Sequence, residues 1–197
     1  MACEHSCCPR SPKARELGHP DSCVGRWATC LPEGLEPSFE ILKLRKNIES
    51  DVLTLGFDFY QASDPKGGPF VVRLGVGANS DTEKVIGILL DHGALQKTAG
   101  YTMDAMHHLD VVANNSNAAV TYGGTYTVAP QTYDVWLDGA PALMGKRMEF
   151  LANLAGATQF TALSFLTYTS ITDHVEILID DVSVTEGAVV KPPAPKP

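Results

Sequence analysis

Residues 131–139 read Gln-Thr-Tyr-Asp-Val-Trp-Leu-Asp-Gly, and their alternation constrains the chain more than any other stretch. In an extended strand successive side chains point to opposite faces, so Tyr133, Val135 and Leu137 share one side and Asp134, Trp136 and Asp138 the other. Asp138-Gly139 then closes the strand, because an Asp-Gly pair accepts the positive φ angles of a tight hairpin. The same period of two recurs upstream. Leu53, Leu55, Phe57 and Phe59 alternate with Thr54, Gly56, Asp58 and Tyr60, and Phe70, Val72, Leu74 and Val76 form an apolar face with Arg73 opposite. Lys84–Asp91 is apolar on both sides, which predicts a central strand. Only Met148–Ala155 has spacing suited to a helical turn or two. Short strands without βαβ alternation predict an all-β, two-sheet antiparallel sandwich, with jelly-roll, immunoglobulin-like and barrel connections all open.

Taken in order, residues 1–37 have no period, and Pro9, Pro12, Pro20, Pro32 and Pro37 break any regular element, so this segment reads as an irregular arm. The body, residues 38–186, begins with a strand at Ser38–Leu44. Turn chemistry fills Ala62–Pro69, and Gly77–Asp81 is a loop. A long loop between Asp91 and Met106 has room for a short extra strand. His107–Ala113 is another alternating strand and leads into Asn114-Asn115-Ser116-Asn117. Ala119–Tyr122 and Thr125–Val128 flank Gly123-Gly124 as a second tight hairpin. Phe160–Thr169 and Val175–Val184 are the last strands, and residues 187–197 form a proline-rich tail of polyproline type.

Three of these pieces carry a resemblance. His107-His108-Leu109-Asp110-Val111-Val112, the hairpin strand Tyr133–Gly139 and Ile179-Asp180-Asp181-Val182-Ser183-Val184 resemble the carboxy-terminal half of a LamG-like domain, in the concanavalin A-like lectin and glucanase superfamily. The resemblance covers roughly residues 38–185. It implies a jelly-roll sandwich and an extracellular or cell-surface role in adhesion or carbohydrate binding. It also implies calcium as a common companion, with oxygen donors such as Asn79, Asp81, Asp58 and Asp181 in loops or at strand ends.

Charge narrows the partners. A formal net charge of −8 without a Lys/Arg-rich run argues against nucleic acid and anionic membranes. No apolar stretch reaches the roughly 18–20 residues that a bilayer-spanning helix needs. No signal-peptide core is visible in residues 1–38. All five cysteines, Cys3, Cys7, Cys8, Cys23 and Cys30, lie in the arm, where an odd count leaves at least one for a free thiol or an inter-chain bridge.

For chemistry, glucanases of the resembled superfamily carry a Glu-x-Asp-x-x-Glu run, and the nearest acidic strand, Glu176–Asp181, lacks that spacing. A polysaccharide lyase would draw on His107, His108, His174, Tyr122, Tyr126 and Arg73, but no lyase motif is present. Hydrolase elbows and nucleotide loops are also missing. Sugar binding asks less: an aromatic face to stack on a pyranose and polar groups beside it. Trp136 between Asp134 and Asp138, with Tyr122 and Tyr126 on the neighbouring hairpin, is the expected platform; the competing reading has Trp136 covered by a sheet or loop. Asn114-Asn115-Ser116 matches a glycosylation sequon. The chain therefore reads as a non-catalytic carbohydrate-binding or adhesion module with a polysaccharide or glycoprotein glycan as partner. The alternatives are a self-assembling structural subunit, a homo-oligomer joined through its arm, and a polysaccharide-active glycosidase or lyase.

Overall fold

The structure, a computed structural model, describes residues 42–44, 50–63, 69–76, 84–150, 159–167 and 177–190. The strands are β1 (Leu42–Leu44), β2 (Val52–Gln61), β3 (Phe70–Gly75), β4 (Lys84–Asp91), β5 (Ala94–Leu95) and β6 (Ala99–Gly100). They continue with β7 (Met106–Asn114), β8 (Val120–Tyr122), β9 (Tyr126–Val128) and β10 (Thr132–Leu137). The last are β11 (Ala140–Arg147), β12 (Ala162–Thr167) and β13 (Ile177–Glu186). One sheet has the order β1-β12-β3-β4-β5-β6, a second β11-β10-β7-β2-β13, and β8-β9 is a separate hairpin. All pairings are antiparallel. The chain passes between these two sheets five times: between β1 and β2, β2 and β3, β6 and β7, β11 and β12, and β12 and β13. This is a two-sheet antiparallel jelly-roll sandwich.

The alternation places the core as the sequence suggests. Leu53, Leu55, Phe57 and Phe59 are fully buried and meet Phe70, Val72, Leu74, Ile86, Ile88 and Leu90 of the facing sheet. Phe57 and Phe165 close the layer edge-to-face with centroids 5.3 Å apart. Each side chain of this size contributes roughly 1.5–3 kcal/mol on burial. Tyr133, Val135 and Leu137 join the same core. Asp138 and Gly139 take φ of 50° and 73°, both positive, and turn β10 into β11 as an Asp-Gly pair can.

Two details differ from expectation. Residues 148–150 are irregular rather than helical, and 151–158 lie outside the described residues. The loop after β4 holds two short strands, β5 and β6, which extend the six-stranded sheet. The cysteines and the arm, Asn79, Asp81, His174 and Glu176 also lie outside the described residues.

The outer face of the five-stranded sheet, turned away from this core, is divided. At one end the β8-β9 hairpin and the segment after β13 fold over it, forming a second apolar cluster of Val112, Tyr122, Val128, Trp136 and Val190. Thr54 fastens that segment: its hydroxyl donates to Gly187 O (3.0 Å) and accepts from Val189 N (2.8 Å). At the other end, polar side chains of β2, β7 and β13 remain exposed to solvent in part.

Candidate functional site on the outer face of the five-stranded sheet

The structure corrects the expected platform. Trp136 is 3% exposed and Asp134 is 1% exposed, although both stand on the face opposite the main core. Alternation fixed the side but not the cover, and the hairpin supplies the cover. Trp136 packs edge-to-face against Tyr126 (4.6 Å) and Tyr122 (6.3 Å). Its indole N–H donates to the Tyr122 hydroxyl at 3.0 Å, and that hydroxyl donates to Asp134 Oδ2 at 2.7 Å. Asp134 Oδ1 accepts the Gly145 N–H at 2.6 Å. Burial, followed by the hydrogen bond to Asp134, pushes the Tyr122 phenol well above its ordinary pKa. This network is structural: its polar groups spend their bonds on each other. Tyr126 remains half-buried at the edge of the cluster.

Asp138 faces elsewhere. Its Oδ1 accepts the His108 N–H at 2.9 Å, and its Oδ2 lies 2.7 Å from His107 Nδ1. His107 Nε2 lies 2.6 Å from Thr102 O, so this ring ties the β10-β11 turn to the loop before β7. His107 is thus a packing and tethering group, and its ring also packs against Phe59 and Tyr101.

His108 is different, and its setting is what sequence reasoning missed. On β7, His108 and Asp110 point outward together. The β2-β7 register sets Asp58 opposite His108 and Gly56 opposite Asp110, and β13 sets Asp180 opposite Asp58 and Ser183 opposite Gly56. His108 Nδ1 is 2.5 Å from Asp58 Oδ1, and Nε2 is 3.2 Å from Asp110 Oδ1. Burial is the largest single influence on this ring and disfavours its charge. The hydrogen bonds and charges of Asp58 and Asp110 together outweigh it and hold the His108 pKa above its ordinary value. Gly56 is itself buried beneath these groups. A Cβ there would lie 2.9 Å from Ser183 Oγ and 3.0 Å from Asp110 Oδ1. The space over Gly56 is thus already taken by the Ser183 hydroxyl and the Asp110 carboxylate, and what faces solvent is the group of His108, Asp58 and Asp110 side chains, each partly exposed.

Two signals in the sequence could have found it. His108 and Asp110 are two residues apart on a strand and so share a face, and Gly56-x-Asp58 repeats that spacing with a gap. Their meeting depends on the register of strands fifty residues apart.

Of the proposed calcium donors, Asp58 is bonded to His108, and Asp181 sits exposed at a bulge of β13, with φ of 49°. Among the described residues no three His, Cys, Asp or Glu side chains converge as a metal-binding group. No helix among the described residues is long and apolar enough to cross a membrane. Arg73 lies on β3, in the other sheet, away from both histidines. The sequon is also placed: Asn114 is fully buried, with Nδ2 donating to Ala118 O (2.8 Å) and Val128 O (3.1 Å). Its Oδ1 accepts from Ser116 N (3.0 Å) and Ser116 Oγ (2.7 Å), which leaves no room for a glycan.

No protein-family model matches the chain, and no curated protein matches it in sequence. Among solved structures, an endo-β-1,4-glucuronan lyase from the fungus Trichoderma reesei is similar at a TM-score of 0.47 and 12% identity, over 83% of this chain and 86% of that one. Sheep galectin-11, in complex with glycerol, is similar at 0.42 and 10%, over 79% of this chain and all of that one (100%). Trypanosoma rangeli sialidase is similar at 0.43 and 16%, over 70% of this chain and 21% of that one. The chain thus spans about a fifth of the sialidase's length. Likeness at these levels assigns no activity.

Proposed function

We propose that the chain is a non-catalytic carbohydrate-binding module of LamG-like kind, working outside the cell, with its ligand seated on the open part of the five-stranded sheet beside His108. The observation that carries this reading is the partly exposed group of His108, Asp58 and Asp110, fixed side by side on the outer face of that sheet. Sugars are held by converging polar groups on a rigid concave surface, and strands fix such groups better than loops do. A lyase reading is weaker, since a general base needs a ring nitrogen free to take a proton, and both nitrogens of His107 and of His108 face acceptors.

The test is a glycan array, run with and without calcium, on the native chain and on Asp110→Asn. The change keeps the shape of the Asp110 side chain and removes the charge it offers beside His108. Binding lost in the variant with an unchanged thermal midpoint supports the site. Unaltered binding places the ligand elsewhere, and an array without any bound glycan removes the carbohydrate reading.

A further inference from the structure

The outer face of the six-stranded sheet has a different chemistry. Leu163 and Phe165 of β12, Val72 and Leu74 of β3, and Ile86 and Ile88 of β4 all belong to the core. The residue between each pair, Ser164, Arg73 or Gly87, therefore stands on the opposite face. Register sets the three in one row, with Arg73 opposite Ser164 on one side and opposite Gly87 on the other. Ser164 is fully buried, yet among the described residues its hydroxyl meets no hydrogen-bond partner. Buried hydroxyls without a partner are costly and therefore rare. Arg73 beside it is partly exposed and brings a guanidinium to the row. Gly87 is partly exposed too, and a Cβ built on it would meet nothing within 4 Å, so open space lies beside the arginine. The Gly87 carbonyl is already engaged by Gln96 Nε2 at 2.5 Å. The strands of this sheet carry Lys43, Arg73 and Lys84 against Asp91 alone, in a chain of net charge −8. Asp91 is four residues along β4 from Gly87, about 13 Å at the rise of an extended strand, and it is paired with His92 Nδ1 at 2.5 Å.

We propose that the row of Ser164, Arg73 and Gly87 is a site for a ligand carboxylate, separate from the site beside His108. The planar fork of a guanidinium matches a carboxylate, and the Ser164 hydroxyl supplies a further donor without a partner among the described residues. Serine is short and arginine long, so the hydroxyl lies close to the sheet, where a carboxylate drawn in by the guanidinium reaches it. The body of the ligand takes the open space over Gly87. A neutral sugar has no charge to offer the guanidinium. A sugar acid and a simple organic acid both supply the carboxylate, and they differ in the size of the body over Gly87.

NMR titration of the full chain, following the backbone amides of Arg73, Gly87 and Ser164 at constant ionic strength, compares acetate, glucuronate and glucose. Both carboxylates are expected to shift these amides to saturation, and glucose to leave them in place. Tighter binding of glucuronate than of acetate supports a sugar acid with its body over Gly87. Equal affinity supports the carboxylate site and overturns that placing of the body. Arg73→Gln, which removes the charge, is expected to weaken either carboxylate at least about tenfold. Ser164→Ala separates a ligand role from a structural one. A hydroxyl without a partner adds nothing to the fold, so the urea midpoint is expected to hold or rise while carboxylate binding weakens at least about threefold. A lower midpoint would mean that the hydroxyl is bonded within the folded chain, and that overturns the proposal. So does the absence of a saturable shift with either carboxylate, a response to glucose equal to that to glucuronate, or carboxylate binding unaltered in Arg73→Gln.

Discussion

Trp136 gives its indole N–H to the hydroxyl of Tyr122 across 3.0 Å, and through that contact the β8-β9 hairpin is held on the outer face of the five-stranded sheet. The hydroxyl serves both sides, accepting from Trp136 and donating to the buried carboxylate of Asp134, whose other oxygen is fixed by Gly145 of β11. Sheet, hairpin and edge strand therefore share one network. Groups buried this way are costly to leave unmatched, because no water replaces a lost partner.

Truncating Trp136 to Ala should therefore act as a core deletion. The expected loss is about 3–5 kcal/mol, the range for removing a large buried aromatic. Tyr122→Phe keeps the ring and removes only the hydroxyl, leaving the Trp136 N–H and Asp134 Oδ2 short of a partner, for a loss of about 1–3 kcal/mol. Urea denaturation of the two variants checks both values. A Trp136→Ala protein as stable as the native chain would mean that the hairpin does not cover the sheet in solution.

This pair also marks where sequence stopped informing structure. A period of two tells which residues share a face, and it identified Tyr133, Val135 and Leu137 as core-facing. It does not tell what lies over the other face. Trp136 is covered by Tyr122 and Tyr126, on a hairpin whose docking is a tertiary matter, so a residue flanked by two aspartates is buried where the pattern suggested exposure. The Asp138-Gly139 turn was legible because its chemistry is local, and both residues take the positive φ that their types favour. The Asp58–His108–Asp110 group was half legible. Its β7 members are neighbours on one strand, whereas Asp58 joins them only through the β2-β7 register, and register is fixed by pairing across the whole sheet.

Asn114 yields a prediction about modification. Its amide is fully buried and both Nδ2 protons are spent on carbonyls, so a glycan on that nitrogen is incompatible with the folded strand. Folded protein secreted from a glycosylating host should show, by intact mass, no sugar at Asn114, because chains modified before folding would not dock the β8-β9 hairpin. Asn114→Ala should lose about 1–3 kcal/mol by stranding those carbonyls and the Ser116 donors. A folded, secreted form carrying the sugar would contradict the placement of this residue.

The last prediction concerns pH and His108. Its folded pKa is raised by Asp58 and Asp110 against the opposing effect of burial. A group whose pKa is higher folded than unfolded binds its proton more tightly in the native state. Its contribution is then complete below the unfolded value of about 6.5 and disappears as pH rises through the folded value. Stability should therefore fall on going from mildly acidic pH through neutrality into the alkaline range, as Asp58 and Asp110 lose the cation between them. The side chain is 45% exposed, so screening keeps the effect small, at most about 1 kcal/mol. The chain holds five further histidines, so the measurement is a comparison of urea midpoints from pH 5 to pH 9 for the native chain and His108→Gln. The variant, which offers no titrating proton to either carboxylate, should show the shallower decline. Identical slopes would mean that the imidazole is not held between the two aspartates in solution, and the geometry around Gly56 would have to be redrawn.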